Sequence, residues 1–288
     1  MKAQPKKTSI EKQKEYYVAA PVVKQLNSAK DKVIRGDQDR IFVVDGKEGS
    51  GKSTLALQIA YHIDPTLTLE DVVFNGDDLQ KRIRYFAEKR IKNKCIIFDE
   101  AFNGLSSKAA LSKINRQLVQ LFMECRQLNL FIFIVLPSVF LLEKYVAIFR
   151  SHGLFHVFVS RKDVKRRYYK IYNYKAKKYL FLRGQKMLDY GKPRIKKTYR
   201  FYSKYPPTVS KLEYDQKKIK SFYEIEKKDI ESKYKVQRDF AIAEWKMDSD
   251  LSERRMEERF LKCKYPMKSV MLGIIGRTAQ ETRQILNT

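Results

Sequence analysis

Val43 to Thr54 read VVDGKEGSGKST, and the residue types in this stretch suit one chemistry, the holding of phosphate groups. The pattern G-x-x-x-x-G-K-[ST] is filled by Gly46, Gly51, Lys52 and Ser53, with Gly49 as a further glycine inside it. Glycines can take positive φ and let consecutive backbone N–H groups turn inward as a nest for phosphate oxygens. A helix that follows presents its positive end to the same anion. Lys52 is expected to reach the β- and γ-phosphates of a nucleoside triphosphate, and Ser53 to offer its hydroxyl to Mg²⁺. The nucleotide contacts expected from the motif are Gly46, Lys47, Glu48, Gly49, Ser50, Gly51, Lys52, Ser53 and Thr54.

A second stretch supplies carboxylates. Lys94 to Ala101, KCIIFDEA, is a short apolar segment ending in two acids. That is the form of a Walker B strand, with Asp99 turned toward Mg²⁺ and Glu100 placed to orient or deprotonate an attacking water.

These residues need elements to position them. The β-branched run IFVV precedes the loop and the helical pattern TLALQIAYHI follows it. Between the two motifs the pattern predicts a strand at Val72 to Asn75 and a helix from about Asp78 to Lys89. Beyond Glu100 it predicts a helix across SKINRQLVQLFMECRQ, a strand at LFIFIVL, a helix near FLLEKYVAIF and a strand from Leu154 to Ser160. Alternation of this kind implies βαβ crossovers and a parallel sheet, an α/β fold.

A β-α unit between the two motifs, with a glutamate beside the aspartate, resembles the RecA-like class of P-loop ATPases. Small-molecule kinases generally lack that glutamate, so the resemblance implies ATP hydrolysis with an activated water, coupled to mechanical work. The order IIFDEAFNGL, LFMECRQLNLFIFIVLP, LEKYVAIFRSHGLFHVFV, over residues 38 to 160, is similar to the FtsK and HerA translocases and to zonula occludens toxin-type phage assembly ATPases. In those families an arginine-bearing helix leads into the fourth strand and an arginine precedes the last core strand. Arg126 and Arg150 hold comparable positions, and the resemblance implies that one acts as a finger toward ATP across a subunit boundary, in a ring of copies. The polar sensor that usually ends the fourth strand is replaced by Ser138, behind Pro137.

Charge bounds the partners. The 288 residues carry 60 Lys and Arg against 33 Asp and Glu, a formal charge of +27. Such a field attracts polyanions, nucleic acid first and an anionic membrane surface second. The cysteines, Cys95, Cys125 and Cys263, form neither a disulfide framework nor a zinc spacing, and His62, His152 and His156 read as structural or surface residues. The N-terminus is basic without an apolar run, unlike a signal peptide. Asn129 to Leu142 is too short to span a bilayer and contains Pro137, which suits a buried strand. These features predict a soluble, cytoplasmic chain without stable membrane insertion.

The chain divides by composition into a basic arm (1–35), the ATPase core (36–160), a basic extension (161–210) and a helical region (211–288). Arg161 to Lys211 holds eighteen Lys and Arg against Asp163 and Asp189 alone, with nine Tyr interleaved. RRYYKIYNY and KKYLFLR read as strands joined in a hairpin, with cations for phosphates and aromatic faces for bases. YPPTVSKLEYDQ reads as a linker, and the mixed-charge stretch beyond it as long helices, exposed or in a coiled coil. Lys268 to Thr288 has the cadence of a helix-turn-helix, with Gly276 at the turn.

Together these features predict an ATP- and Mg²⁺-dependent DNA motor that translocates or packages double-stranded DNA for a virus or mobile element. The alternatives are a phage assembly or secretion ATPase, and a nucleotide-gated DNA-binding protein without a motor cycle.

Overall fold

The computed structural model describes residues 17–99, 115–116, 118–119, 128–160, 163 and 166–224. All lie in the first of two compact units, which ends at Glu226. A β-branched run with no polar residue to place in water is suited to the centre of a sheet covered on both faces. The first such run, β1 (Arg40–Gly46), is buried from Ile41 to Gly46. It pairs in parallel with β4 (Phe131–Leu136) on one side and β5 (Ser151–Val159) on the other. β4 is buried along its whole length and pairs in turn with β3 (Cys95–Phe98), which pairs with the two-residue β2 (Val72–Val73). Past β5 the sheet continues antiparallel through β6 (Arg167–Tyr172) and β7 (Tyr199–Phe201), giving the order β2-β3-β4-β1-β5-β6-β7. Among the described residues the fold is thus a mixed α/β core on a mostly parallel seven-stranded sheet, the α/β class that the alternation of elements predicts. β4 stands between the strand that leads into the phosphate loop and the strand that ends at Asp99.

Helices cover both faces. On one lie α1 (Ala20–Gly36) and α2 (Lys52–Ile63), with Val22, Leu26, Leu55 and Ile59 packed on Phe42, Val44 and Phe133. On the other lie α3 (Gly76–Glu88) and α4 (Tyr174–Gly184), with Leu79, Ile83, Leu180 and Phe181 packed on the opposite side chains Val43, Ile132 and Ile134. Each fully buried Leu, Ile or Phe of these layers stabilises the fold by roughly 2 kcal/mol, an upper estimate because real unfolded chains already bury some surface. Cys95 is buried at the foot of β3, and burial pushes its thiol well above the usual range.

Two expectations change. KKYLFLR is not a strand of a hairpin: Tyr174–Gly184 is helical. Asn173 caps it by accepting the Ala176 N–H at 2.9 Å, and Lys177, Leu180, Phe181 and Gly184 fall on one buried face at helical spacing. β6 instead pairs with β5 and β7, so the tyrosine-rich stretch is woven into the sheet. The expected helix near FLLEKYVAIF is a 3₁₀ turn, Val139–Leu141, followed by a π-helical turn, Tyr145–Arg150. Its carbonyls at Ala147 and Ile148 receive the ammonium of Lys177, a fully buried side chain whose pKa burial lowers to about 8. The expected helix-turn-helix at 268–288 lies outside the described residues, as does most of the helix expected before β4. Among the described residues no helix is long and apolar enough to cross a membrane.

Two measurements check this account. Asn173→Ala should cost about 1 kcal/mol in denaturant unfolding, the usual loss of a helix cap. A strand start would be indifferent to it. The second concerns His152, whose Nδ1 accepts the Ile41 N–H at 3.2 Å and whose pKa burial, aided by Arg40, lowers from 6.5 to about 4. The unfolded chain takes up this proton below pH 6.5 and the folded chain only near 4, so the stability contributed by the neutral ring is present above 6.5 and is lost as pH falls toward 4. The loss should approach about 3 kcal/mol, and the fall in urea midpoint across that range should flatten in His152→Gln.

Candidate nucleotide site

The loop leaves β1 through a contact only glycine permits. Gly46 has φ +145°, and a Cβ built on it would stand 2.1 Å from the Val157 carbonyl oxygen of β5. Gly49 (φ +70°) faces open space, whereas Gly51 (φ +93°) is pressed by Arg167 and Phe201. Gly51 is also the N-cap of α2 and supplies no side-chain acceptor, so the first N–H groups of α2 keep their donor capacity. Within the loop the Ser50 N–H donates to Lys47 O at 3.2 Å, and the Ser50 hydroxyl is buried without a partner. Lys52 Nζ folds back onto Lys47 O at 3.0 Å.

A cleft of about 480 Å³ opens between this loop and the end of the sheet. Glu48, Lys52, Ser53 and Thr54 line one side, Asp99 and the end of β4 the floor, and Tyr205, Tyr214, Asp215, Lys218 and Phe222 the far wall. Asp99 is fully buried; its N–H donates to Val73 O at 2.9 Å and its carboxylate accepts the Tyr214 hydroxyl. Burial and the Asp99 charge raise the Tyr214 phenol far above its usual range. Burial, with Asp215 and Asp99 nearby, raises Tyr205 to about 12.

The donor set fits a nucleoside phosphate. The N–H end of α2, the buried Ser50 hydroxyl lacking a partner and the Lys52 ammonium offer the charge and hydrogen bonds a polyphosphate takes. Ser53 and Asp99 are the residues that would hold Mg²⁺. Among the described residues no group of three or more His, Cys, Asp or Glu could hold a metal.

The other expected residues are placed as follows. Glu100 and Arg126 lie outside the described residues. Arg150 stands just before β5, where Ser151 pairs with Ile41 at the start of β1, and its guanidinium donates to Asp39 at 2.5 Å. Six residues of β1 separate that pairing from the loop, about 20 Å at 3.3 Å per residue, so Arg150 faces away from its own chain's site. Ser138 bonds the Tyr190 hydroxyl at 2.9 Å, and Tyr190 donates to Asp45, which also accepts the Val139 N–H at 2.9 Å and meets His156 Nδ1 at 2.8 Å. This fully buried carboxylate, one residue before Gly46, braces the root of the loop. The sequence does not mark Tyr190, the reading of His156 as structural agrees with its bond to Asp45, and the part of the far wall from Tyr205 to Asp215 reads in sequence as a linker. The one local sign of that wall is the spacing of Tyr205 and Tyr214 around the paired prolines.

No family model matches the sequence, and no curated protein does. Among solved structures, a KaiC-like protein from the archaeon Pyrococcus horikoshii is 15% identical with a TM-score of 0.36, covering 47% of this chain and 79% of that one. The N-terminal domain of zonular occludens toxin from Neisseria meningitidis is 14% identical with a TM-score of 0.29, covering 47% and 84%. The flagellar accessory protein FlaH from Methanocaldococcus jannaschii is 13% identical with a TM-score of 0.27, covering 68% and 97%. At such scores the likenesses carry no argument, and the reading rests on the loop and the sheet.

The glycines give a test. Gly46→Ala should cost more than about 2 kcal/mol or prevent folding, because backbone blocks the methyl group. Gly49→Ala meets open space and should cost only the strain of its dihedral, about 1 kcal/mol in thermal or denaturant unfolding.

Proposed function

We propose that the protein is an ATP-hydrolysing motor that acts on DNA. The observation that carries this reading is one cleft holding the phosphate loop, its lysine, and the Ser53 and Asp99 oxygens. Lys52 and the α2 N–H groups would neutralise and orient the β- and γ-phosphates, and Ser53 and Asp99 would hold a Mg²⁺ ion, whose chemistry would be to draw charge from the phosphate oxygens. Glu100, next along the chain from Asp99, takes the proton of the attacking water. Arg126 or Arg150 serves the site of a neighbouring copy, in a ring.

The basic stretch supports DNA as the partner because it is joined to this site. Arg167 of β6 packs against Gly51 and donates to the Ser203 hydroxyl. Lys170, opposite His156, lies 5.6 Å from the Phe158 ring, and Arg200 of β7 lies 5.0 Å from the Tyr202 ring. Cations over aromatic faces on one sheet surface offer phosphate contacts and stacking together. A second reading, a nucleotide-gated DNA-binding protein without a motor cycle, is favoured by the hold of Tyr214 on Asp99.

The deciding experiment is the ATPase rate with and without double-stranded DNA across a salt titration, with Lys52→Ala as the blank. A motor gives stimulation that fades as salt rises. Turnover indifferent to DNA despite salt-sensitive binding overturns the motor in favour of the gated binder. Lys52→Ala should lower turnover at least about 100-fold, and Glu100→Gln should keep ATP binding while blocking hydrolysis.

A further inference from the structure

After β7 the chain crosses back over α2 and the end of the sheet, and it is pinned at two places. Gln58 Nε2 donates to the carbonyls of Tyr202 and Lys204, each at 2.6 Å. Lys217 Nζ donates to Leu69 O at 2.8 Å and Val72 O at 2.7 Å, beside β2. Residues 211–224 between and beyond these pins are helical. The pinned stretch brings two tyrosines onto the nucleotide loop, their rings 5.5 Å apart edge to face, with Tyr214 also 5.6 Å from Phe74. The Tyr205 hydroxyl meets the side chain of Thr54. The Tyr214 hydroxyl donates to Asp99 and meets the side chain of Ser53.

Ser53 and Asp99 are the pair that would hold the metal of a bound nucleotide, and one phenol oxygen engages both. Resting on the nucleotide reading above, we propose that Tyr214 is an internal competitor for that metal: Mg²⁺-nucleotide seats by taking Ser53 and Asp99 from Tyr214, and in doing so loosens helix 211–224 from the site. The competition is chemical as well as steric. A phenol that donates to a buried carboxylate stabilises its charge, and losing that bond without a replacement costs the carboxylate a charge-assisted hydrogen bond. A divalent cation is a replacement; metal-free nucleotide is not, because its phosphates repel the carboxylate. The cleft beside Tyr214 admits the nucleotide itself, so metal-free binding does not require the helix to move. The hydroxyl thereby separates two events that would otherwise coincide, capture of the phosphates and capture of the metal.

The test is calorimetric titration of ATP in excess EDTA and in Mg²⁺, on the wild-type chain, Tyr214→Phe and Lys52→Ala. Phenylalanine keeps the ring against Phe74 and Tyr205 and removes only the hydroxyl. Tyr214→Phe should bind ATP like the wild type in EDTA and about tenfold more tightly in Mg²⁺, the fold-change expected when one charge-assisted hydrogen bond no longer competes. In the wild type, hydrogen exchange of residues 211–224 should rise with Mg²⁺-ATP and stay unchanged with ATP in EDTA. That second measurement decides the matter if Tyr214→Phe does not fold. Equal Mg²⁺-ATP affinity in wild type and Tyr214→Phe, or protection of 211–224 unchanged by Mg²⁺-ATP, overturns the competition and leaves the nucleotide site standing. Absence of ATP binding by the wild type in both conditions, indistinguishable from Lys52→Ala, overturns the nucleotide reading and this proposal with it.

Discussion

The approach of Gly46 to the Val157 carbonyl sets the geometry on which the site depends. Because no side chain intervenes, β1 and β5 stay paired to the last residue of β1, and the chain turns into the loop from a fully anchored strand. Asp45, one residue earlier, is held by Tyr190, His156 and the Val139 N–H, so the root of the loop is braced from the side facing β4 as well. A loop that must present several N–H groups to an anion gains little from flexibility, since each donor has to be in place before the ligand arrives. Both contacts supply that rigidity at the boundary between strand and loop.

The cationic stretch is not an appendage hung on this core. β6 and β7 continue the sheet, and their buried side chains, Tyr169, Tyr172 and Phe201, belong to the same two apolar layers as the parallel strands. The cations of β6, Arg167 and Lys170, are half-buried between these tyrosines on the two faces. Dense positive charge is self-repelling, and spreading it along strands already anchored by buried tyrosines lets packing offset the repulsion. The side chains of Arg167 and Phe201, paired across β6 and β7, both meet Gly51 and join the extension to the start of α2.

Much of the fold was legible because its signals are local. The loop lies between a β-branched run and an amphipathic pattern, and α3 begins where Asn75 accepts the Asp78 N–H, close to the start read from the acids that follow. β5 runs longer than its apolar segment because pairing with β1 recruits Ser151 and Gly153, with an irregularity at His152, and no hydrophobic pattern marks these residues. α4 was misread because Tyr-Leu-Phe-Leu satisfies both a two-residue and a helical period; the deciding residue, Asn173, stands outside that window. The wall of the cleft left only the spacing of Tyr205 and Tyr214 as a sign, with nothing to say what they face. Tyr214 and Asp99 are 115 positions apart, and nothing in either neighbourhood encodes the other.

Among the described residues the sheet ends on both sides in very short strands, two residues in β2 and three in β7. An edge strand offers unpaired backbone groups to any passing chain, and its danger grows with the length of the ladder it can template. At β7 the edge also carries the exposed guanidinium of Arg200, which would be forced against its twin in an edge-to-edge pairing. The same brevity that makes these strands easy to overlook therefore guards a strongly β-prone, tyrosine-rich chain against growing into a continuous fibril.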